Sequence, residues 1–483
     1  MSTEIHHIPN FAGKIIQREA SGKKAASLEI VAPTIIAPDE EFTLKILMVD
    51  EKGFPVINDG RKFTLRAAGP KLELTFSFPH NGIAYAEIRK IKFKKEGIFR
   101  FETEFKNKKV FSNPCACRHG MDKKIFWGDP HIHSSLSNCM VQYSRSTLFA
   151  FNAARYLSCL DWAAVADHVS NGRCGLDKWK EQSALADACN DPGNFITLPA
   201  YEASLKGGKG GDNNVYMDKF PSIFIDEYEN GSVKTLCRKL KELSQKENFD
   251  FFAVPHHTTR TGKHGEIPGK IYPGKKAMPV IEIHSKWGSS EYRGNPSPLK
   301  DVHPGPSYAA DLLKQKLILG FIGGTDTHAT MTFAASSLES GHIDRLPGLT
   351  AVCAEKLERD NVFQSIRDRN CYAACGERIY LNVTLNDITM GSLLKINSSL
   401  LRSRHIHIEC AAKSNLKSVE IIRNGYCIKK INPKTWKLIS DFEDKEFLNK
   451  KNSLDEGKFY YYYIRVRCLS GATAWSSPIW ITA

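Results

Sequence analysis

The chain has 483 residues, 42% of them hydrophobic and 25% charged, with a formal net charge of +14. These values are ordinary for a soluble globular protein of two to four domains with a real core. No apolar run reaches bilayer-spanning length, and the opening MSTEIHHIPNFAGK has no basic stretch leading into an apolar one, so neither a membrane span nor a secretory signal is expected.

The positive charge is spread along the chain, with no basic block and no aromatic-glycine RNA signature. That pattern predicts no specific nucleic-acid partner and leaves small anionic substrates open. The thirteen cysteines are scattered and odd in number. They are expected to be reduced, mostly buried thiols of a cytoplasmic protein. Cys115/Cys117 and Cys371/Cys375 lack a second pair at zinc-knuckle spacing. The oligomeric state is not legible.

Residues 1–118 read as β-rich. In EFTLKILMVD, Phe42, Leu44, Ile46 and Met48 recur at every second residue, and IFRFETEF sets Phe99, Phe101 and Phe105 on one face. DEKGFP and PHNG supply turns between such runs, a pattern expected of an immunoglobulin-sized β-sandwich.

Over residues 119–376 the rhythm changes. The short apolar runs IFWGD, WAAVAD, FITLPA, FFAVPH, VIEIH, LILGFIGG and LTAVCA alternate with SRSTLFAFNAARYLSCL, DKWKEQSALADAC, SVKTLCRKLKELSQ and DNVFQSIRD, which carry helical spacing. Alternation of this kind predicts an α/β unit of about seven parallel strands with helical crossovers, closed as a TIM-like barrel. From 377 to 483 the two-residue period returns in HIHIEC, SVEIIRNGYCIKK, with an Asn424-Gly425 hairpin turn, and FYYYYIRVRC. This predicts a second, C-terminal β-sandwich.

The strand ends of the middle segment carry the chemistry. IFWGD runs into His131 and His133, WAAVA into Asp167-His168, FITLPA into Tyr201-Glu202, and FFAVP into His256-His257. VIEIH carries Glu282 and His284, and LILGFIGG runs into Asp326 and His328. In an α/β barrel the C-terminal strand ends share one mouth, so these side chains are expected to converge there. Crowded imidazoles and carboxylates need a cation to compensate them. A His/Asp/Glu set suits zinc, manganese or iron, and a glutamate can bridge two such ions. His405 and His407 form another His-x-His, but in a strand pattern with no such cluster nearby, and they read as a solvated face.

As a set, WGDPHIHSSLS, AVADH, PAYEAS, GGDNNVYM, AVPHH, VIEIHSKWGSSEYRGNP and GFIGGTDTH resemble the polymerase-and-histidinol-phosphatase (PHP) superfamily, and more closely its DUF3604-like branch, over residues 125 to 375. The resemblance implies a distorted (β/α)7 barrel, here flanked by the two sandwiches, holding two or three divalent ions (Mn, Zn or Fe). His131, His133, Glu202 and Asp326 would hold one ion. Glu202 would bridge to a second held by His256 and Asp212, and His168 and His328 would hold a third with Asn138. Glu202 and Asp326 would then carry the catalysis, by way of a metal-activated water. The family usually has a carboxylate where Asn138 stands, so the third position is expected to bind more weakly, and histidine where Asp212 aligns, where aspartate can still ligate a hard cation. Pro130 replaces a more usual leucine without removing a ligand.

The neighbours of these residues have other readings. His257 and His284 read as ligands or as hydrogen-bonded imidazoles of the mouth, and Glu282 as a ligand or as a group orienting one. Asp129 and Asp167 read as orienting groups. Lys286 and Arg293 are candidates for phosphate binding, against ordinary surface charge. The loops KGGKGGDNN and TTRTGKHGEIPGKIYPGKK read as a flexible lid over an anionic ligand or as plain solvated loops. The expected function is a metal-dependent hydrolase, a phosphoesterase of a small phosphorylated metabolite. The alternatives are an amidohydrolase-type enzyme, which a carbamylated lysine in place of Glu202 would favour, and a non-catalytic binding protein.

Overall fold

The computed structural model describes residues 3–19, 24–51, 54–57, 60–80, 82–139, 144–205, 208–261, 271–302, 305–332 and 346–483. The stretches expected to form a lid lie partly outside these residues, at 206–207 and 262–270.

In the first segment the two-residue period places Phe42, Leu44, Ile46 and Met48 in the core. Their strand, Phe42–Val49, lies between Tyr85–Ile91 and Ser27–Val31 in a four-stranded sheet. A second four-stranded sheet holds Lys62–Ala67 and Glu102–Phe105. Leu28, Leu65, Phe76, Phe101 and Phe105 join those residues in one apolar core. Each large side chain so buried stabilises the fold by about 1.5–3 kcal/mol.

The middle segment has the expected strands, but not as one parallel set. β1 (Lys124–Ile132) pairs in parallel with β2 (Trp162–Val165), and β2 with β3 (Ile196–Leu198). β4 (Ala200–Ser204), β5 (Asp212–Met217) and β6 (Phe251–Pro255) form an antiparallel sheet of their own. β7 (Val280–Ser285) pairs in parallel with β8 (Gly320–Gly323). β9 (Gly348–Ala354) is antiparallel both to β1 and to β10 (Cys371–Cys375). Single bridges, Ile132 to Thr327 and His168 to Glu202, join the chain past β8 to β1 and the chain past β2 to β4. Among the described residues no sheet closes on itself.

Two local causes break the expected pattern. Pro199 has no N–H to extend the β3 ladder, and its carbonyl accepts instead from Met217 N at 3.0 Å, which turns FITLPAYEAS into two strands in different sheets. β5 begins with Asp212, Asn213 and Asn214, so only Val215, Tyr216 and Met217 offer the apolar signal of a buried strand.

The helices follow their patterns. α1 (Thr147–Asn152) opens the predicted 144–160 helix, which loosens into a π turn over Ala153–Leu157. α2 (Leu176–Cys189), α3 (Val233–Glu247) and α4 (Arg359–Arg367) match the other three stretches. The Ser232 side chain caps α3 by accepting from Thr235 N at 3.3 Å, and Leu236, Leu240 and Leu243 form its buried stripe. No helix among the described residues is long and apolar enough to cross a membrane.

Beyond residue 377 the chain both builds a four-stranded sheet and extends a sheet of the middle segment. β11 (Leu416–Arg423) and β12 (Tyr426–Ile431) meet at the predicted hairpin, where Asn424 and Gly425 both have positive φ (49° and 86°). β13 (Phe459–Cys468) and β14 (Thr473–Ser476) follow, and β14 pairs with β10. One eleven-stranded sheet thus runs from β3 through β2, β1, β9, β10, β14 and β13 to β11 and β12, with Ile479–Thr482 paired to β13 and Leu393–Lys395 paired to it in turn as its other two strands. His405 and His407 turn to the solvent side and reach Asp441 on the neighbouring strand at 3.1 and 2.9 Å. All thirteen cysteines are free thiols.

Candidate metal centre

β1 delivers its histidines through an interruption of its own ladder. Pro130 cannot donate, and the pairing with β2 slips between Asp129 and Ile132. Asp129, fully buried, fastens this bend. It accepts from His131 N and Thr325 N, both at 3.0 Å, and from Thr325 Oγ1 at 2.5 Å, tying the end of β1 to the end of β8. Burial pushes its carboxyl up to about 7 against the pull of those donors. Asp167 does similar work one strand away, accepting from Ser134 N at 2.7 Å and Ser134 Oγ at 2.6 Å. At Gly324 a Cβ would lie 2.6 Å from Glu282 Oε2 and 2.8 Å from His131 Cβ, so only glycine lets the two chains pass this closely.

Two buried carboxylates, Glu202 on β4 and Asp326 after β8, sit among six imidazoles. Glu202 Oε2 lies 3.5 Å from His131 Nε2, 3.2 Å from His133 Nε2 and 3.2 Å from His168 Nδ1, while its Oε1 lies 3.3 Å from His256 Nε2. Asp326 Oδ1 is 3.2 Å from His133 Nε2 and 3.6 Å from His328 Nδ1. Its Oδ2 is 3.1 Å from His257 Nε2. Glu282 Oε2 stands behind His131, 3.0 Å from Nδ1, and leaves Nε2 facing the cluster. Asp326 and His257 both hold left-handed backbone, φ 51° and 53°, a strain of the kind that collects at functional sites.

The charges are set by their neighbours. Burial would raise Glu202 and Asp326, but the imidazoles around them hold both well below the usual carboxylate range. Burial would lower His131, yet Asp326 and Glu282 lift it well above an ordinary imidazole. His133 and His256 are lifted too, against burial, by Asp326 and Glu202 for the first and by Glu202 for the second. Burial dominates at His168, lowered to about 4, and at His257 and His328, both lowered.

Ligand-type atoms gather within 4.8 Å of one another in four overlapping groups: His131, Glu202 and His256; His131, His133 and Asp326; Asp212, His256 and His257; His133, Cys139, His168 and His328. Glu202 Oε2 and His168 Nδ1 are buried and 3.2 Å apart, yet neither makes a hydrogen bond. Nitrogen and oxygen atoms that crowd together without donating to one another are arranged to share a cation. The His/Asp/Glu donor set therefore fits divalent metal ions.

All the ligands that the resemblance implied lie in this cluster except Asn138. That side chain is exposed, and its Nδ2 donates to Arg173 O at 3.2 Å. The parallel-strand rule does not account for Asp212, since β5 runs antiparallel and presents its first residue at the mouth. His257 joins the cluster. His284 does not: its Nε2 lies 2.8 Å from Leu346 O and its ring stacks on Trp475 at 5.6 Å. Arg293 is exposed and stands over the Tyr308 ring. Lys286 is buried, with Nζ 4.6 Å from the centre of the Trp287 ring, and burial lowers it to about 7.

A cavity of about 250 Å³ opens over the cluster, and Cys139, Ser170, Arg173, Ser204, Tyr228, Arg260 and Trp287 complete its walls. Sequence reasoning passed over these seven. Arg173 and Arg260 lie only a few residues past His168 and His256, so the strand-end rule extended by one turn of chain reaches them. Cys139 adjoins the Asn138 that drew attention instead.

The family model for a protein of unknown function, DUF3604, matches residues 140–262, which include His168, Glu202, Asp212, His256 and His257. A solved two-domain protein from Bacteroides vulgatus, described as containing a predicted PHP-like metal-dependent phosphoesterase, is similar with a TM-score of 0.38 and 13% identity, over 72% of this chain and 92% of that one. That likeness is too remote to fix the fold or the chemistry. An uncharacterized protein of Chlamydia pneumoniae is 26% identical over 97% of this chain and 76% of its own length. One of Chlamydia muridarum is 34% identical over 95% of this chain and 74% of its own length. Identity at that level along nearly the whole chain makes it a member of the same family as the Chlamydia muridarum protein.

Proposed function

We propose that the chain is a metal-dependent hydrolase of the PHP type that cleaves a small phosphate ester. In this reading residues 119–376 form a distorted barrel around the cluster, flanked by the β-rich segments 1–118 and 377–483, the second of which shares a sheet with it. The observation that carries the proposal is Glu202, whose two oxygens face different imidazoles, Oε2 towards His131, His133 and His168 and Oε1 towards His256. A carboxylate so flanked is suited to bridge two cations.

His131, His133 and Asp326 would hold one ion and His256 and Asp212 the next, with Glu202 between them. Divalent ions held there would lower the pKa of an attacking water and offset charge on the phosphoryl oxygens. Glu282 fixes the His131 ring through Nδ1, so that Nε2 stays a ligand atom. Arg173 and Arg260, at the cavity wall, supply guanidinium donors for the phosphoryl oxygens. Trp287, with Arg260 5.9 Å and Lys286 4.6 Å from its ring centre, supports that positive wall and keeps water from one side of the cavity. A cavity of about 250 Å³ favours a small substrate over a polymer.

The test is phosphate release from a panel of phosphomonoesters and diesters by manganese-loaded protein, beside Glu202→Ala. Release that disappears in the variant supports the reading. If amides are hydrolysed while the phosphoesters stay intact, the site is an amidohydrolase. Tight ligand binding without turnover, surviving complete metal removal, makes it a binding protein.

A further inference from the structure

After His133 the chain makes a single 3-10 turn, Ser135–Ser137, and leaves it through Asn138 in left-handed conformation (φ 51°). That residue points outward, to Arg173 O, while Cys139 lines the cavity beside His168 and His328. The Cys139 sulfur and the ring nitrogens of His133, His168 and His328 lie within 4.8 Å of one another. The His133 ring has other partners, with Nε2 3.2 Å from both Glu202 and Asp326 and Nδ1 3.0 Å from Ser137 Oγ. Cys139, His168 and His328 stand together at the cavity, with His168 Nδ1 3.2 Å from Glu202 Oε2 and His328 Nδ1 3.6 Å from Asp326 Oδ1.

We propose that Cys139 is a metal ligand, and that with His168 and His328 it makes a sulfur–nitrogen position that takes zinc in preference to manganese. This rests on the metal-centre reading above, and not on the identity of the ester. The balance is simple: the ion takes the place of the thiol proton, which leaves to solvent, and no electron moves. Thiolate is a soft ligand that selects zinc over manganese, whereas the positions around Asp326 and Asp212 offer hard oxygen. Three protein ligands with a fourth place open is the pattern of a reactive zinc position rather than a closed structural one. The amide at 138 then leaves no ligand missing, because the adjacent residue supplies one.

The experiment uses the full chain stripped of metal and titrated with cobalt(II), a spectroscopic probe for zinc. Bound cobalt is counted by elemental analysis. An intense near-ultraviolet thiolate-to-cobalt absorption is expected, lost in Cys139→Ser and kept in Asn138→Ala. Zinc affinity of Cys139→Ser is expected to fall at least tenfold while manganese binding stays the same. Should the serine variant fail to fold, alkylation of Cys139 in the native chain, read by peptide mass spectrometry, replaces it. Zinc protects the thiol there and manganese does not.

Cobalt bound without the absorption, absorption that survives in Cys139→Ser, or equal alkylation with and without zinc overturns the proposal. Phosphoester hydrolysis by a cobalt protein lacking the absorption sinks thiolate ligation alone. Absorption without hydrolysis sinks the phosphoesterase reading alone.

Discussion

Asp129 offers a sharp test of how the site is held. Its carboxylate is closed to water and accepts from two backbone amides, His131 N and Thr325 N. Asp129→Ala leaves both donors without an acceptor, at about 1–3 kcal/mol each, or about 2–6 kcal/mol together. Thr325 Oγ1 adds little, because His131 O already lies 3.1 Å away to receive it. Asp129→Asn keeps Oδ1 for the two amides and turns an NH2 towards Thr325 Oγ1, so its cost is expected to be about 1 kcal/mol or less. Urea unfolding of the metal-free variants, followed by circular dichroism and by tryptophan fluorescence, measures both where the two transitions coincide. A second readout comes from pH. The folded carboxyl, near 7, lies above the ordinary value of about 3.9, so its contribution is full below pH 4 and is lost as pH rises through 7. The Asn variant should therefore gain on the native protein between pH 5 and pH 8. An Ala variant within about 0.5 kcal/mol of the native chain, or an Asn variant as damaged as the Ala variant, would refute the reasoning.

Three other outcomes are expected. Metal uptake requires neutral imidazoles, and His131, His133 and His256 are lifted above the ordinary value, so affinity should fall as pH drops through their raised values, about tenfold per unit for each proton displaced. Chelator competition at pH 6 and 8 measures it, and a flat profile counts against it. Trp287→Ala removes the ring beneath Arg260 and Lys286, a cation–π contribution of about 0.5–2 kcal/mol, and should raise KM for the phosphoester about 2- to 30-fold with a smaller change in kcat. Glu291→Gln should destabilise the fold by about 1–3 kcal/mol in thermal or urea unfolding. Buried Glu291 accepts from Arg465 Nη1 at 2.5 Å, Tyr463 Oη at 2.9 Å and Trp475 Nε1 at 2.6 Å, and an amide weakens these charge-assisted bonds and leaves Arg465 paired with Glu420 alone.

The sequence revealed most where one physical signal dominated. Period-two apolar residues marked Phe42–Val49, helical spacing marked Val233–Glu247, and Asn424-Gly425 marked a hairpin, because each is a local preference that tertiary structure had no cause to override. Strand ends located the imidazoles and carboxylates. Pairing was not legible: nothing local in Asp212–Met217 announces an antiparallel strand, and one proline moved Glu202 into a different sheet from Ile196–Leu198. The direction of single side chains was equally hidden. Asn138 and Cys139 differ by one residue, and it is the left-handed turn between them that decides which one faces the cavity.

The eleven-stranded sheet carries a consequence for biosynthesis. β14, which covers the free edge of β10, is translated roughly a hundred residues after it. Ser477, just beyond β14, also holds β8 beside β10: its Oγ accepts from Phe321 N at 2.9 Å and donates to Cys371 O at 2.6 Å. The strand that leads to Asp326 and His328 therefore waits for residues that leave the ribosome long afterwards. Pairing at that separation is slow. The histidines and carboxylates are all synthesised before β14 and Ser477, so the cluster is expected to assemble only once those residues have left the ribosome.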